Sequence, residues 1–163
     1  RLTGGIGVDR AIDAVGVDAE APHSGPAAEE AAQKRQQYER QVQQNTPQIS
    51  PEWQPGDAPS QAVSWAIEGL AKAGTLSVIG VYPQTQRSFP LGKAMNKNLT
   101  VQMGNCNHRK YIPYLLDLVQ SGAIDPMQIL TQMEPITNAL QAYKAFDERQ
   151  PGWIKIELEP AIH

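Results

Sequence analysis

The sequence holds a single cysteine, Cys106, so no disulfide can close within it. A reducing compartment, the cytoplasm, is the expected setting. The makings of a zinc site are also missing. Cys106 and His108 stand two apart, while His23 and His163 lie far off in sequence, and zinc sites need three or four ligands. No apolar run reaches membrane-spanning length, and no signal peptide is visible. A net charge of −3 is too small to suggest a nucleic-acid partner. No G-x-G-x-x-G follows a strand, so that phosphate-binding fingerprint is absent. Nothing marks Asp9 and Asp13 as an acid/base pair. Acidic residues are missing between Gly69 and Leu116, a window that carries Lys72, Arg87, Lys93, Lys97, Arg109 and Lys110. Such a one-signed region suits either an anionic ligand or a solvated basic face.

What is present reads as globular. At 163 residues, with 40% hydrophobic and 19% charged, the chain can bury a core. Arg1-Leu-Thr-Gly-Gly5 reads as a loop leading straight into a strand, which predicts that the chain is the C-terminal part of something longer. Residues 7–16 read as that strand, apolar and closed by Gly16. Residues 17–59 are punctuated by prolines, Pro51 among them, around a helix over 27–44 whose only sizeable apolar groups are Tyr38 and Val42. This excursion reads as an insertion, either a solvated or disordered segment or a lid.

Order resumes at Ser60, a candidate N-cap. Val63, Ile67 and Leu70 recur at helical spacing up to Gly74, read as the glycine that stops the helix. An apolar strand follows and ends on Gly80, then a short helix over 91–98, then a strand over 99–104 ending on Gly104. A strongly apolar helix spans 109–121. Asp125-Pro126 opens a short helical turn, 131–134 is a brief strand, and Thr137 is a candidate cap for a helix to Phe146 with Leu140, Tyr143 and Phe146 on one face. The alternating stretch 153–158 is the last strand. Strands alternating with helices predict an α/β fold with a mostly parallel sheet. In it, the strand ends at Gly16, Gly80 and Gly104 fall on one edge, where α/β sheets bind ligands.

The stretches Gly7-Val-Asp-Arg-Ala-Ile-Asp-Ala-Val-Gly16, Gly74-Thr-Leu-Ser-Val-Ile-Gly-Val-Tyr-Pro83 and Asn96-Lys-Asn-Leu-Thr-Val-Gln-Met-Gly104 come in this order. They are followed by Leu118-Val-Gln-Ser-Gly-Ala-Ile-Asp125, Ala142-Tyr-Lys-Ala-Phe-Asp147 and Trp153-Ile-Lys-Ile-Glu-Leu-Glu-Pro160. Together they resemble the C-terminal part of a zinc-dependent alcohol dehydrogenase of the medium-chain dehydrogenase/reductase superfamily. The branch most resembled is the glutathione-independent formaldehyde dehydrogenase-like group, which also carries an insertion after this strand.

The resemblance implies the second half of a Rossmann-type parallel sheet with flanking helices, plus the closing segment of a GroES-like catalytic domain. Residues 1–16 would be a Rossmann strand, 17–59 the insertion, 60–125 the rest of the cofactor-binding half, and 126–163 the return to the catalytic domain. It implies NAD as cofactor, with NADP not excluded, and zinc held by ligands upstream of Arg1. The matching cofactor positions are Val15 and Gly16 near the adenosine ribose. Ile79, Gly80, Val81, Gly104, Asn105 and Cys106 match positions near the nicotinamide, and Lys155 faces the pyrophosphate. The insertion would cover the adenosine side, with His23 its nearest polar group. The strand Leu99-Thr-Val-Gln-Met103 would pair across a homo-oligomer. An alcohol or aldehyde would be the substrate, and the segment alone would be inactive without the missing N-terminal part. The rival readings are a zinc-free reductase of the same superfamily and a non-catalytic association module.

Overall fold

The computed structural model describes residues 3–47 and 53–160. Arg1, Pro51 and His163 lie outside the described residues. Contacts divide the chain into two compact units, Arg1–Asn105 and Cys106–His163.

In the first unit, strands β1 (Val8–Asp13), β2 (Leu70–Val78) and β3 (Thr100–Met103) form a sheet in that order. Both pairings are parallel, with Asp13 opposite Val78 and Val78 opposite Met103. Helices α1 (Pro26–Asn45), α2 (Gln61–Gly69) and α3 (Leu91–Asn96) complete it. The helical spacing of Val63 and Ile67 presents them to Leu76 and Val78 of the sheet. Leu70 and Ala94 close the same core. Burying such aliphatic groups contributes about 1.5–3 kcal/mol each.

The second unit holds α4 (His108–Gln120), β4 (Gln132–Pro135), α5 (Ala139–Asp147) and β5 (Ile156–Glu159). β4 and β5 pair in parallel. Asp125 caps its turn as expected, accepting from the Met127 amide at 3.0 Å. Asn138, not Thr137, precedes α5, and both belong to the single turn Ile136–Asn138 that leads into it. The expected apolar face of α5 is exposed at Leu140, Tyr143 and Phe146, while Ala142 and Ala145 are buried. The closing strand is shorter than its alternation predicts. Beside it, the amides of Ile154 and Lys155 donate to the Thr131 hydroxyl rather than to a ladder carbonyl.

Two further expectations are corrected. The helix expected to run to Gly74 stops at Gly69, and β2 already starts at Leu70. The cause is remote in sequence. The Lys97 ammonium donates to the carbonyls of Ile67, Glu68 and Leu70 at 2.9, 2.8 and 2.6 Å, placing a cation on the negative end of the helix. Ser60 stands at the N-cap, yet its side chain makes no capping bond.

The helix in the excursion rests on more than a Tyr38–Val42 stripe. Ala31, Tyr38, Gln41 and Asn45 are its buried residues. The Tyr38 hydroxyl donates to Gln61 at the start of α2. The excursion leaves and returns at one place, since the amides of Gly56 and Ala58 donate to the carbonyls of Val17 and Ala19 at 3.1 and 3.0 Å.

Replacing Lys97 by Met keeps the apolar stem and removes the cap. It should lower the unfolding free energy by about 2 kcal/mol, the scale of hydrogen bonds from a charged group, as measured by denaturant titration of the 163-residue chain.

Candidate functional site

The carboxyl ends of β1, β2 and β3 adjoin, because Asp13, Val78 and Met103 are in register across the sheet. The chain leaving β1 meets the chain leaving β2 directly. A Cβ on Gly16 would collide with the backbone of Val81, and one on Gly80 with that of Gly16. Gly16 also sits at φ 69°, a region side chains disfavour. Bare backbone therefore forms the floor of the rim at this crossing. Gly104 differs, since no atom lies within 4 Å of where its Cβ would stand.

Asp13 organises this rim, a role that no motif in the chain assigns to it. Its side chain is buried, at 3% exposure. Oδ1 accepts from the amides of Val15 and Gly16 at 3.0 and 2.9 Å, and Oδ2 accepts from the Tyr82 hydroxyl at 2.6 Å. Its carbonyl accepts from the amides of Ile79 and Gly80 at 2.9 and 2.8 Å. One residue thus fixes both loops. Burial, then the hydrogen bond to the Asp13 carboxylate, pushes the Tyr82 phenol far above its ordinary value. The signal available in sequence was an acidic residue three before a strand-end glycine, the spacing of a side chain that closes on following amides.

Around the bare floor stand exposed apolar side chains, Val15, Ile79 (69% exposed) and Val81 (77%). The rim thus brings together Val15, Gly16, Ile79, Gly80 and Val81. Gly104 and Asn105 follow β3 on the same edge and are exposed. Cys106 and Lys155 belong to the second unit. Cys106 is exposed. The Lys155 carbonyl accepts from the amides of Thr131 and Gln132, and its side chain borders a hollow with Tyr143, Phe146 and Leu158.

Two cations of the basic window are engaged within the first unit. Lys93 pairs with Glu68, Lys97 caps α2, and Arg109 and Lys110 lie in the second unit. Among the described residues no group of three or more His, Cys, Asp or Glu could hold a metal ion. Also among them, no helix is long and apolar enough to cross a membrane.

The phenol of Tyr82 titrates higher in the folded chain than in the unfolded one. Its contribution to stability is therefore complete below the ordinary tyrosine value near pH 10 and is lost as pH rises beyond it. Thermal melts should fall steeply on the alkaline side, and Tyr82→Phe should flatten that fall.

No family model matches the chain. It is 34% identical over 95 residues to the uncharacterized zinc-type alcohol dehydrogenase-like protein AdhB of Bacillus subtilis, covering 58% of this chain and 25% of that one. A zinc-type alcohol dehydrogenase-like protein of Schizosaccharomyces pombe is 30% identical over 90 residues, covering 55% and 21%. Among solved structures, the alcohol dehydrogenase TADH from Thermus sp. ATN1 superposes on 98% of this chain and 34% of its own, with TM-score 0.62 and 24% identity. The chain spans about a quarter of the length of the curated relatives it matches. These two sequence relatives are zinc-type alcohol dehydrogenase-like proteins, and the fold is a parallel α/β, Rossmann-type one shared with the C-terminal part of solved alcohol dehydrogenases.

Proposed function

We propose that this chain supplies the nicotinamide side of the cofactor site in a zinc-dependent alcohol dehydrogenase that uses NAD. The observation that carries this reading is the rim, with three parallel strand ends in register and a bare-backbone crossing at Gly16 and Gly80. In open α/β sheets, dinucleotides lie outside the carboxyl ends of the strands. The rim fits one side of such a ligand. Gly16 and Gly80 let it approach the main chain, and the exposed Ile79 and Val81 offer an apolar wall that excludes water from one ring face. Asp13 and Tyr82 hold that wall in place. Bound there, the nicotinamide would accept a hydride from an alcohol or aldehyde adduct.

A catalytic zinc uses three protein ligands. The described residues offer no such set, so the metal would be held by another part of the complete polypeptide. The formaldehyde dehydrogenase-like branch is proposed on the helical excursion that follows β1. Association into homo-oligomers is proposed through β3, an edge strand of its sheet. A cytoplasmic setting suits the single cysteine.

The complete polypeptide should produce NADH from NAD and a short alcohol, and the 163-residue chain alone should produce none. Ile79→Asp in the complete polypeptide should raise the KM for NAD by about tenfold, the worth of ~1.4 kcal/mol of lost apolar contact, with kcat changed less. NADH production by the isolated chain would contradict the assignment of half a site to it.

A further inference from the structure

The loop that leaves β2 is gripped from three sides. Asp13 holds its start through the amides of Ile79 and Gly80 and the hydroxyl of Tyr82. The other two grips come from the excursion between β1 and α2. At its root, the Val17 amide donates to the Val81 carbonyl at 3.0 Å. At the far end of α1, Asn45 is buried to 3% exposure and uses both ends of its carboxamide. Its Nδ2 donates to Gln86 Oε1 at 2.6 Å, and its Oδ1 accepts from the Thr85 hydroxyl at 2.9 Å. The root is itself locked, because Gly56 and Ala58 donate back to Val17 and Ala19, and the Asp57 carboxylate accepts from the Ala21 amide at 2.6 Å.

We infer that the excursion is a brace for residues 81–86, with Asn45 and Thr85 as positioning residues that set how tightly the rim holds a dinucleotide. This rests on the dinucleotide reading of the rim. A buried carboxamide with an unpaired end is costly, and Asn45 meets both its needs from the rim loop, 40 and 41 residues away in sequence. A helix whose role was only to shield the ligand from water would not need to spend its buried polar group on the loop beneath. Ordering the loop before the ligand arrives removes an entropic cost from binding. The same two bonds that fix α1 therefore raise affinity without touching the ligand.

Two measurements test this separately. Hydrogen–deuterium exchange on the 163-residue chain reads the brace itself. Asn45→Leu and Thr85→Val should speed exchange over residues 81–86 by about tenfold, as expected when a local opening loses ~1.4 kcal/mol. Exchange within α2 and β2 should stay unchanged. Thr85→Ser keeps the hydroxyl and should behave as the parent. The second measurement is the NADH dissociation constant of the complete polypeptide, which Thr85→Val should raise by about three- to tenfold while Thr85→Ser restores it. Unchanged exchange over 81–86 in Thr85→Val would overturn the brace. Faster exchange with unaltered NADH affinity would overturn its link to binding. A parent polypeptide that binds no NADH would instead overturn the cofactor reading, leaving the exchange result to judge the brace alone. Thr85 is exposed, so its variants fold even where Asn45→Leu does not.

Discussion

The rim of this sheet depends on one buried carboxylate. Asp13 gathers three donors on its side chain and two on its carbonyl, and these come from both strand exits. Taking a carboxylate out of water is costly unless it is hydrogen-bonded, and charge-assisted bonds are the strong ones. The burial of Asp13 and the closure of the two loops are therefore one event. Once both loops are drawn to the same residue, their main chains must touch, and only glycine at 16 and 80 permits that contact. The apolar residues beside those glycines, Val15, Ile79 and Val81, are then held pointing away from the packed sheet and remain exposed.

The same kind of long-range polar contact explains where the sequence was readable and where it was not. Apolar runs and helical spacing were enough to find the strands, if not their ends, to expect parallel pairing and to mark the core between α2 and the sheet, because a period of apolar residues reports directly on a buried face. They misplaced the end of α2, because what ends it is an ammonium 27 to 30 residues further on. They undervalued α1, because part of its buried face is Gln41 and Asn45, residues that hydropathy counts as surface. They passed over Asp13 for the same reason. Gln41 goes further than its neighbours, since both ends of its carboxamide are buried without a protein partner. That is a polar burial no pattern in the chain announces.

The second unit shows the opposite mismatch, and it bears on the proposed function. Where α2 meets β2 in the first unit the apolar pattern and the burial agree, with Val63, Ile67, Leu76 and Val78 all buried. In the second, α4 carries an equally clear pattern and buries none of its residues. Tyr111, Ile112, Leu115, Leu116 and Val119 are all exposed, as are Leu140 and Tyr143 of α5. An amphipathic pattern specifies the surface a helix is meant to meet, and contiguous apolar faces of this kind mark sites of contact with other protein. β1 and β3 add open sheet edges in the first unit, which proteins ordinarily pair or cover. A stand-alone association module would concentrate such surface in one patch. Here it recurs on two helices of one unit and on both edges of the other. That distribution fits a chain matching about a quarter of a longer relative, whose remaining elements would lie against several faces at once.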